Sequence, residues 1–380
     1  MLVSLDAIPL AAPRTGVGHY TFELARHLAL LAPADEFELV SPFPIVTPFH
    51  NQAEQDLPAN LRTVHAKVNS LRRRWFAVGL PLYLRQSGAD LFHGTNYEVP
   101  LWGKRPSVLT IHDLSLLLHA DTHEARLVRR GRRRLPLMAR AASVIITPSE
   151  SVRREVLAHL RIEPSKVVSI PEAPRDIFRP MLIEETIEVR RRLEIEDDFI
   201  LFVGTIEPRK NLLTLLKAFE EILRSTSLHP QLVIAGKEGW LMDELSSYVK
   251  KSGVENRLRF TGYLTDEELR ALYSSCRVFV YPSLYEGFGL PPLEAMACGA
   301  PVIASRIPSI VEAVGPDAAR LISPTDVQAL SRSIIEILSD ENERRQLART
   351  GQQRASMFTW EKTARATLAV YGEALESGKK

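Results

Sequence analysis

The sequence predicts an α/β fold, with two doubly wound parallel-sheet domains facing a central cleft. Three observations predict it. Short apolar runs rich in Val, Ile and Phe alternate with amphipathic helical patterns almost from end to end, the pattern of parallel strands covered by helices on both faces. A length of 380 residues sits near two domains of ordinary size. A hydrophobic content of 45% can fill two sizeable cores.

In the first half, strands are expected at Val3–Asp6, Phe37–Ser41, Asp90–His93, Val108–His112, Val144–Thr147 and Val167–Ile170. In the second half they are expected at Ile200–Val203, Leu232–Ala235, Leu258–Thr261, Val278–Tyr281, Val302–Ala304 and Arg320–Ile322. Helical spacing is plain at Leu212, Leu215, Leu216, Phe219, Ile222 and Leu223, which follow Asn211, a residue type suited to an N-cap. The boundary falls near Phe178–Ile187, where Pro171, Pro174 and Pro180 precede the charged segment Glu184–Asp198. This gives a first domain of residues 1–178 and a second of residues 179–358. After Ile322 the strand signals stop. A helix over about 359–376 has no sheet of its own and is expected to pack back on the first domain. In such architectures ligands bind outside the carboxyl ends of the strands, which places the cleft there. No internal repeat or low-complexity segment interrupts the pattern.

Charge and cysteine content exclude several classes. With 48 Lys+Arg against 46 Asp+Glu, the net charge of +2 is no basis for a strongly basic nucleic-acid binder. Cys276 and Cys298 cannot form a disulfide framework or a four-ligand zinc site. Residues Met1–Leu10 have no basic stretch before their apolar residues and do not read as a signal peptide. No run approaches the roughly 20 apolar residues of a membrane span. The expectation is a soluble protein of a reducing compartment.

The strongest chemical signal runs from Tyr281 through Glu286-Gly-Phe288-Gly289-Leu290-Pro-Pro to Glu294. Glycines and prolines forbid a continuous helix, and proline tolerates the first helical turn, so a helix is expected to open near Leu290 or Pro291. The amides of Phe288, Gly289 and Leu290 then suit an anion such as a diphosphate. Carboxylates would repel that anion, so Glu286 and Glu294 are expected to accept hydrogen bonds from sugar hydroxyls. A second signal is Phe202-Val-Gly204-Thr-Ile-Glu207-Pro-Arg209-Lys210-Asn211. Cations just before a helix oppose its dipole, and an anionic ligand held by Arg209 and Lys210 would offset that conflict. Solvated surface charge is the bland alternative for both segments.

In the first domain, Gly16-Val-Gly18 follows the first strand and opens a helical pattern. It is half of a dinucleotide fingerprint, without the third glycine, and supports close backbone approach to a ligand rather than NAD binding. His93 and His112 are each expected at a strand end facing the cleft, where a structural role remains the competing reading. No metal site is expected, because no Asp-x-Asp triplet occurs and Asp197-Asp198 precedes a strand. Residues 1–178 carry 22 Lys+Arg and 17 Asp+Glu, against 26 and 29 in the remainder. Six arginines cluster at Arg126, Arg129, Arg130, Arg132, Arg133 and Arg134, and Arg72-Arg73-Arg74 precedes Trp75 and Phe76. Such patches attract anionic headgroups or a pyrophosphate-linked acceptor, or are simply solvated faces.

Over nearly its whole length the chain resembles the retaining glycosyltransferases of family 4, with the GT-B fold of two Rossmann-like domains. Glu286 and Glu294, with seven residues between them, look like the family's E-x7-E motif. Gly204–Asn211 looks like its phosphate-binding segment, and Gly16–Gly18 and His112 match in order and spacing. Members similar in Thr110–Ser115 and Gly204–Asn211 are often mannosyltransferases using GDP-mannose. The resemblance implies that Glu294 binds the ribose hydroxyls and Glu286 the donor sugar. It implies that Arg209 and Lys210 stabilise the departing diphosphate without a metal, and that His112 contacts the donor sugar. It further implies retention of anomeric configuration, no cofactor beyond the nucleotide-sugar co-substrate, and a glycan or lipid-linked acceptor. The implied location is cytoplasmic, with peripheral contact at the inner face of an anionic membrane as an open option. Three alternatives stand beside it: the same fold with a UDP-sugar, a non-catalytic two-lobed sugar- or nucleotide-binding protein, and an NAD-dependent dehydrogenase.

Overall fold

The computed structural model describes residues 1–12, 14, 16–45, 57–66, 74–103, 105–237, 239 and 243–377. Arg72 and Arg73, named in the expectations above, lie outside them. The chain divides into two compact units, Met1–Glu172 with Thr359–Lys380, and Ala173–Phe358.

The first unit is built on seven strands: β1 (Leu2–Asp6), β2 (Glu36–Ser41), β3 (Leu61–His65), β4 (Leu91–Gly94), β5 (Ser107–Thr110), β6 (Val144–Thr147) and β7 (Val167–Ser169). All pair in parallel, in the order β3-β2-β1-β4-β5-β6-β7. The order reverses between β1 and β4, so a crevice opens there at the carboxyl ends of the strands. A core including Phe92, Leu109, Ile111, Met138 and Ile145 fills one side. Helix Trp360–Ser377 belongs to this unit and lies on helix Gly16–Leu31, its Trp360 ring 6.0 Å from Tyr20. Thr363 Oγ1 donates to the Pro171 carbonyl at 2.7 Å, and the Tyr371 hydroxyl meets His93 Nδ1 at 2.7 Å.

In the second unit the strands are β8 (Phe199–Val203), β9 (Gln231–Ala235), β10 (Leu258–Gly262), β11 (Val278–Tyr281), β12 (Val302–Ser305) and β13 (Arg320–Ile322). They pair in parallel as β10-β9-β8-β11-β12-β13, with the reversal between β8 and β11. Alternate residues of one strand feed opposite faces. Phe199 and Leu201 enter one core, while Ile200 and Phe202 enter the other. Burial on both faces explains why these strands read as unbroken apolar runs.

Four local features differ from the expectations. The first sheet has an additional edge strand, β3, whose residues 62, 63 and 65 are exposed, so it lacks the apolar run that marked the others. β5 ends at Thr110, which leaves His112 two residues past the strand. Asn211 occupies the start of helix Leu212–Ser225 but makes no cap through its side chain; its φ of 58° is left-handed. Its Nδ2 instead donates to the carbonyls of Pro282 and Pro324, tying the loop after β8 to those after β11 and β13. The first unit also ends at Glu172, earlier than residue 178. Phe178 is buried in the second unit's core beside Tyr273, with the Arg175 guanidinium over its ring.

Candidate functional site

The two strands that flank the reversal in the second sheet carry the two segments singled out in the sequence. β8 leads into Gly204–Lys210, and β11 leads into the turn that ends at helix Leu290–Ala297. The adjacency of β8 and β11 is therefore what brings Arg209, Lys210 and Glu286 together. Arg209 Nη1 donates to Glu286 Oε2 at 2.9 Å and to the Tyr285 carbonyl at 2.9 Å. Its Nη2 donates to Glu207 Oε1 at 2.6 Å. Lys210 Nζ donates to Glu286 Oε1 and to the Tyr281 hydroxyl, both at 2.7 Å, and that hydroxyl donates to Glu286 Oε1 at 2.9 Å. Ser309 Oγ holds the Glu286 carbonyl at 2.6 Å.

Burial of Glu286 alone would favour the neutral acid, but the charges of Lys210 and Arg209 outweigh it and bring its pKa down to about 2. This carboxylate is charged at every ordinary pH. Two acids, Glu207 and Glu286, balance two bases, so Arg209 and Lys210 are not the solvated cations of the bland reading.

Gly289, at φ 125°, precedes the helix in a conformation that L side chains rarely adopt. The helix opens at Leu290 as expected, and its first-turn amides lack intrahelical acceptors. Phe288 anchors the turn with its side chain, buried against Phe358 at 5.7 Å. Gly204 directly follows β8, its amide donating to the Ala235 carbonyl at 2.9 Å.

Glu294 lies in different company. It is on the second turn of the helix, and its Oε1 is 3.7 Å from Arg175 Nε. The same guanidinium donates through Nη1 to Asp266 Oδ2 at 2.5 Å. Burial and the like charge of Asp266 push the Glu294 pKa up to about 7, against the pull of Arg175. Glu294 therefore titrates near neutrality while Glu286 does not.

In the first unit, Gly16 and Gly18 open helix Gly16–Leu31 at the carboxyl end of β1. A side chain on Gly16 would meet nothing within 4 Å, whereas one on Gly18 would come 3.1 Å from the Pro9 carbonyl. Gly18 is thus small for its own chain's packing. His93 is fully buried, its Nε2 2.8 Å from Thr110 Oγ1, and burial followed by the charge of His112 drops its pKa to about 3. It is a structural residue, which corrects the expectation that it faces a ligand. His112 Nε2 is 2.8 Å from the Thr95 carbonyl, and Nδ1 is 3.1 Å from Glu172 Oε1.

Glu207, Tyr281, Arg175, Asp266 and Glu172 were given no role from the sequence. Glu207 and Tyr281 stand inside the quoted segments, and their neighbours could have pointed to them. Arg175, Asp266 and Glu172 reach their partners across 119, 91 and 60 positions respectively, taking Glu294, Arg175 and His112 as those partners. No local pattern signals such pairs. Among the described residues, no cluster of three His, Cys, Asp or Glu could hold a metal ion, and no helix is long and apolar enough to cross a membrane.

Comparison with known proteins agrees with the fold. Residues 184–354 match the family of glycosyl transferases group 1, and residues 14–173 match glycosyltransferase family 4. O-antigen chain mannosyltransferase B of Escherichia coli is 32% identical, over 96% of this chain and 97% of that protein. Serotype-specific mannosyltransferase WbdA of the same species is 34% identical over 63% of this chain, which spans 30% of WbdA. The structure of sucrose-phosphate synthase from Thermosynechococcus elongatus superposes with a TM-score of 0.78 at 22% identity, covering 99% of each chain.

Proposed function

The chain belongs to family 4 of the glycosyltransferases, and from that premise we propose that it transfers mannose from GDP-mannose, with retention, to a glycan or lipid-linked glycan. The carrying observation is the Glu286 carboxylate, held charged between Arg209 and Lys210 where β8 and β11 lie side by side. Similarity to two mannosyltransferases supports mannose as the sugar.

In this reading Arg209, Lys210 and the amides of Phe288, Gly289 and Leu290 receive the diphosphate. As the bond from the anomeric carbon to the phosphate oxygen breaks, negative charge grows on the leaving oxygen, and the two cations stabilise it. The diphosphate takes over part of the hydrogen bonding that Glu286 now receives, which frees that carboxylate to accept from sugar hydroxyls. Glu294 accepts from the ribose hydroxyls, with Gly204 allowing close backbone approach. Gly16, Gly18 and His112 contribute from the first unit. No divalent cation is invoked in this reading, because Arg209 and Lys210 turn from Glu286 toward the diphosphate and supply the positive charge at the leaving oxygen.

The test is a panel of nucleotides and sugar donors, read by thermal shift and by transfer in EDTA. GDP should stabilise more than UDP, NAD should do nothing, and mannose transfer should survive the chelator. A ligand at a hundred times its dissociation constant adds about 2.7 kcal/mol. Greater stabilisation by UDP contradicts the donor, activity restored only by magnesium or manganese contradicts metal independence, and binding without turnover contradicts catalysis.

Peripheral membrane contact is part of the proposal. Helix Ala125–Ala141 buries Val128, Leu135, Met138 and Ala139 and exposes Arg126, Arg129, Arg130, Arg132 and Arg133 beside Leu127 and Leu137. Arg130 and Arg134 both pair with Glu98, which leaves Arg126, Arg129, Arg132 and Arg133 as the rest of the patch. Replacing Arg129, Arg132 and Arg133 with Ser should weaken sedimentation with anionic vesicles at low salt and leave GDP binding intact. Equal sedimentation of the variant would assign the patch to solvent.

A further inference from the structure

Both nitrogens of His112 face acceptors. The Thr95 carbonyl can only accept, so Nε2, 2.8 Å away, carries a proton. Nδ1 faces the Glu172 carboxyl group at 3.1 Å, and one proton must lie between them. Assigned to the ring, that proton makes an imidazolium–carboxylate pair. Assigned to Glu172, it makes a neutral pair. Imidazole is the stronger base by about two units in water, which places the proton on His112.

The surroundings agree. Burial of His112 works against its charge, but the hydrogen bond and charge of Glu172, the Thr95 carbonyl and the charge of Asp113 outweigh it and raise its pKa. The other titratable groups facing the ring are Tyr20, edge-on at 4.8 Å from helix Gly16–Leu31, and Tyr97, edge-on at 5.9 Å from the segment after β4. His93 is fully buried and low in pKa, so it brings no competing positive charge. Glu172 is itself held in place. The Ile170 amide donates to the Thr147 carbonyl at 2.8 Å, and the adjacent Pro171 carbonyl accepts from Thr363 on helix Trp360–Ser377.

We propose that Glu172 is a positioning residue that keeps the His112 ring locked and doubly protonated, so that His112 serves transfer as a fixed cation and cannot act as a general base. The role in transfer rests on the function proposed above; the charge state does not. With both N–H groups committed, neither nitrogen has a lone pair to offer an acceptor hydroxyl.

The experiment is a pH titration of the full chain with histidine-selective 15N labelling, wild type beside Glu172→Gln, paired with transfer rates from GDP-mannose across the same pH range. The conservative variant keeps the shape and the acceptor oxygen but removes the charge. In the wild type both His112 nitrogens should carry protons at neutral pH, with a midpoint above the ordinary 6.5. In Glu172→Gln the midpoint should fall. The alkaline limb of the rate profile should fall in step, at about tenfold in rate per unit of midpoint shift, with activity recovered at low pH. A wild-type midpoint at or below neutral pH, or one unmoved by the substitution, overturns the proposal. A midpoint that moves while the rate profile stays fixed overturns the role in transfer. Should no donor turn over in either protein, the proposed function fails, and the nitrogen titration still decides the charge state.

Discussion

Glu286 and Glu294 have seven residues between them, and their settings are opposite. Glu286 is a loop carboxylate held by two cations and a tyrosine, with its pKa down at about 2. Glu294 is a helix carboxylate that shares one guanidinium with Asp266, with its pKa up at about 7. The sequence shows two identical side chains, each expected to accept from sugar hydroxyls. The difference comes from what the sheet order delivers. β8 beside β11 brings two bases to the first carboxylate, while the segment after Glu172 brings the second a single arginine that is already engaged. A carboxylate pinned by charge is a fixed electrostatic element. One poised near neutrality can change its charge on binding or with pH.

Stability should separate the two most widely. Removing one partner of a buried ion pair costs about 3–5 kcal/mol, because the partner charges remain uncompensated. Glu286→Gln should therefore lose stability of that order in urea unfolding at pH 7. The sign follows from linkage. With a folded pKa of about 2 against 4.5, Glu286 stabilises above pH 4.5, and the contribution fades as pH falls toward 2. Glu294, raised from 4.5 to about 7, binds a proton more readily folded than unfolded, so its contribution declines as pH rises from 4.5 to 7. Glu294→Gln should match or exceed wild-type stability above pH 7. Equal losses in both variants would erase the comparison.

A smaller effect sharpens it. If ionised Glu294 accepts from ribose, GDP affinity should rise with pH through about 7 and level off above it, and Glu294→Gln should abolish that dependence. Asp266→Asn removes a like charge beside Glu294, so the midpoint should move to lower pH. Isothermal calorimetry at four or five pH values checks both. A flat wild-type profile would show that Glu294 does not titrate in this range.

Much of this contrast lay outside what sequence patterns carry. Strands buried on both faces, such as β8 and β11, announce themselves as apolar runs, and glycine and proline marked the turn before Leu290. β3 escaped because an edge strand with exposed residues has no such run. The segments bearing Arg209, Lys210, Glu286 and Glu294 were evident from residue type at strand ends. Their pairing was not, since it depends on which strands become neighbours. Asn211 shows the same limit: its type suits a cap, yet its amide is spent joining three loops. Arg175 sits among the prolines just before the expected boundary, on the first domain's side of it, and only the packing of Phe178 into the second core commits it to Glu294.

The central claim is that the two carboxylates divide the donor between them, and calorimetry of GDP with Glu286→Ala and Glu294→Ala, paired with their transfer rates, tests it most directly. Glu294→Ala should weaken GDP by about 1.5–3 kcal/mol, the range for hydrogen bonds to a charged group. Glu286→Ala should bind GDP at least as well as wild type, because Arg209 and Lys210 lose a competing anion, yet transfer should collapse with the sugar misplaced. Loss of GDP affinity in Glu286→Ala with affinity retained in Glu294→Ala would reverse the roles, and wild-type behaviour in both variants would remove the site.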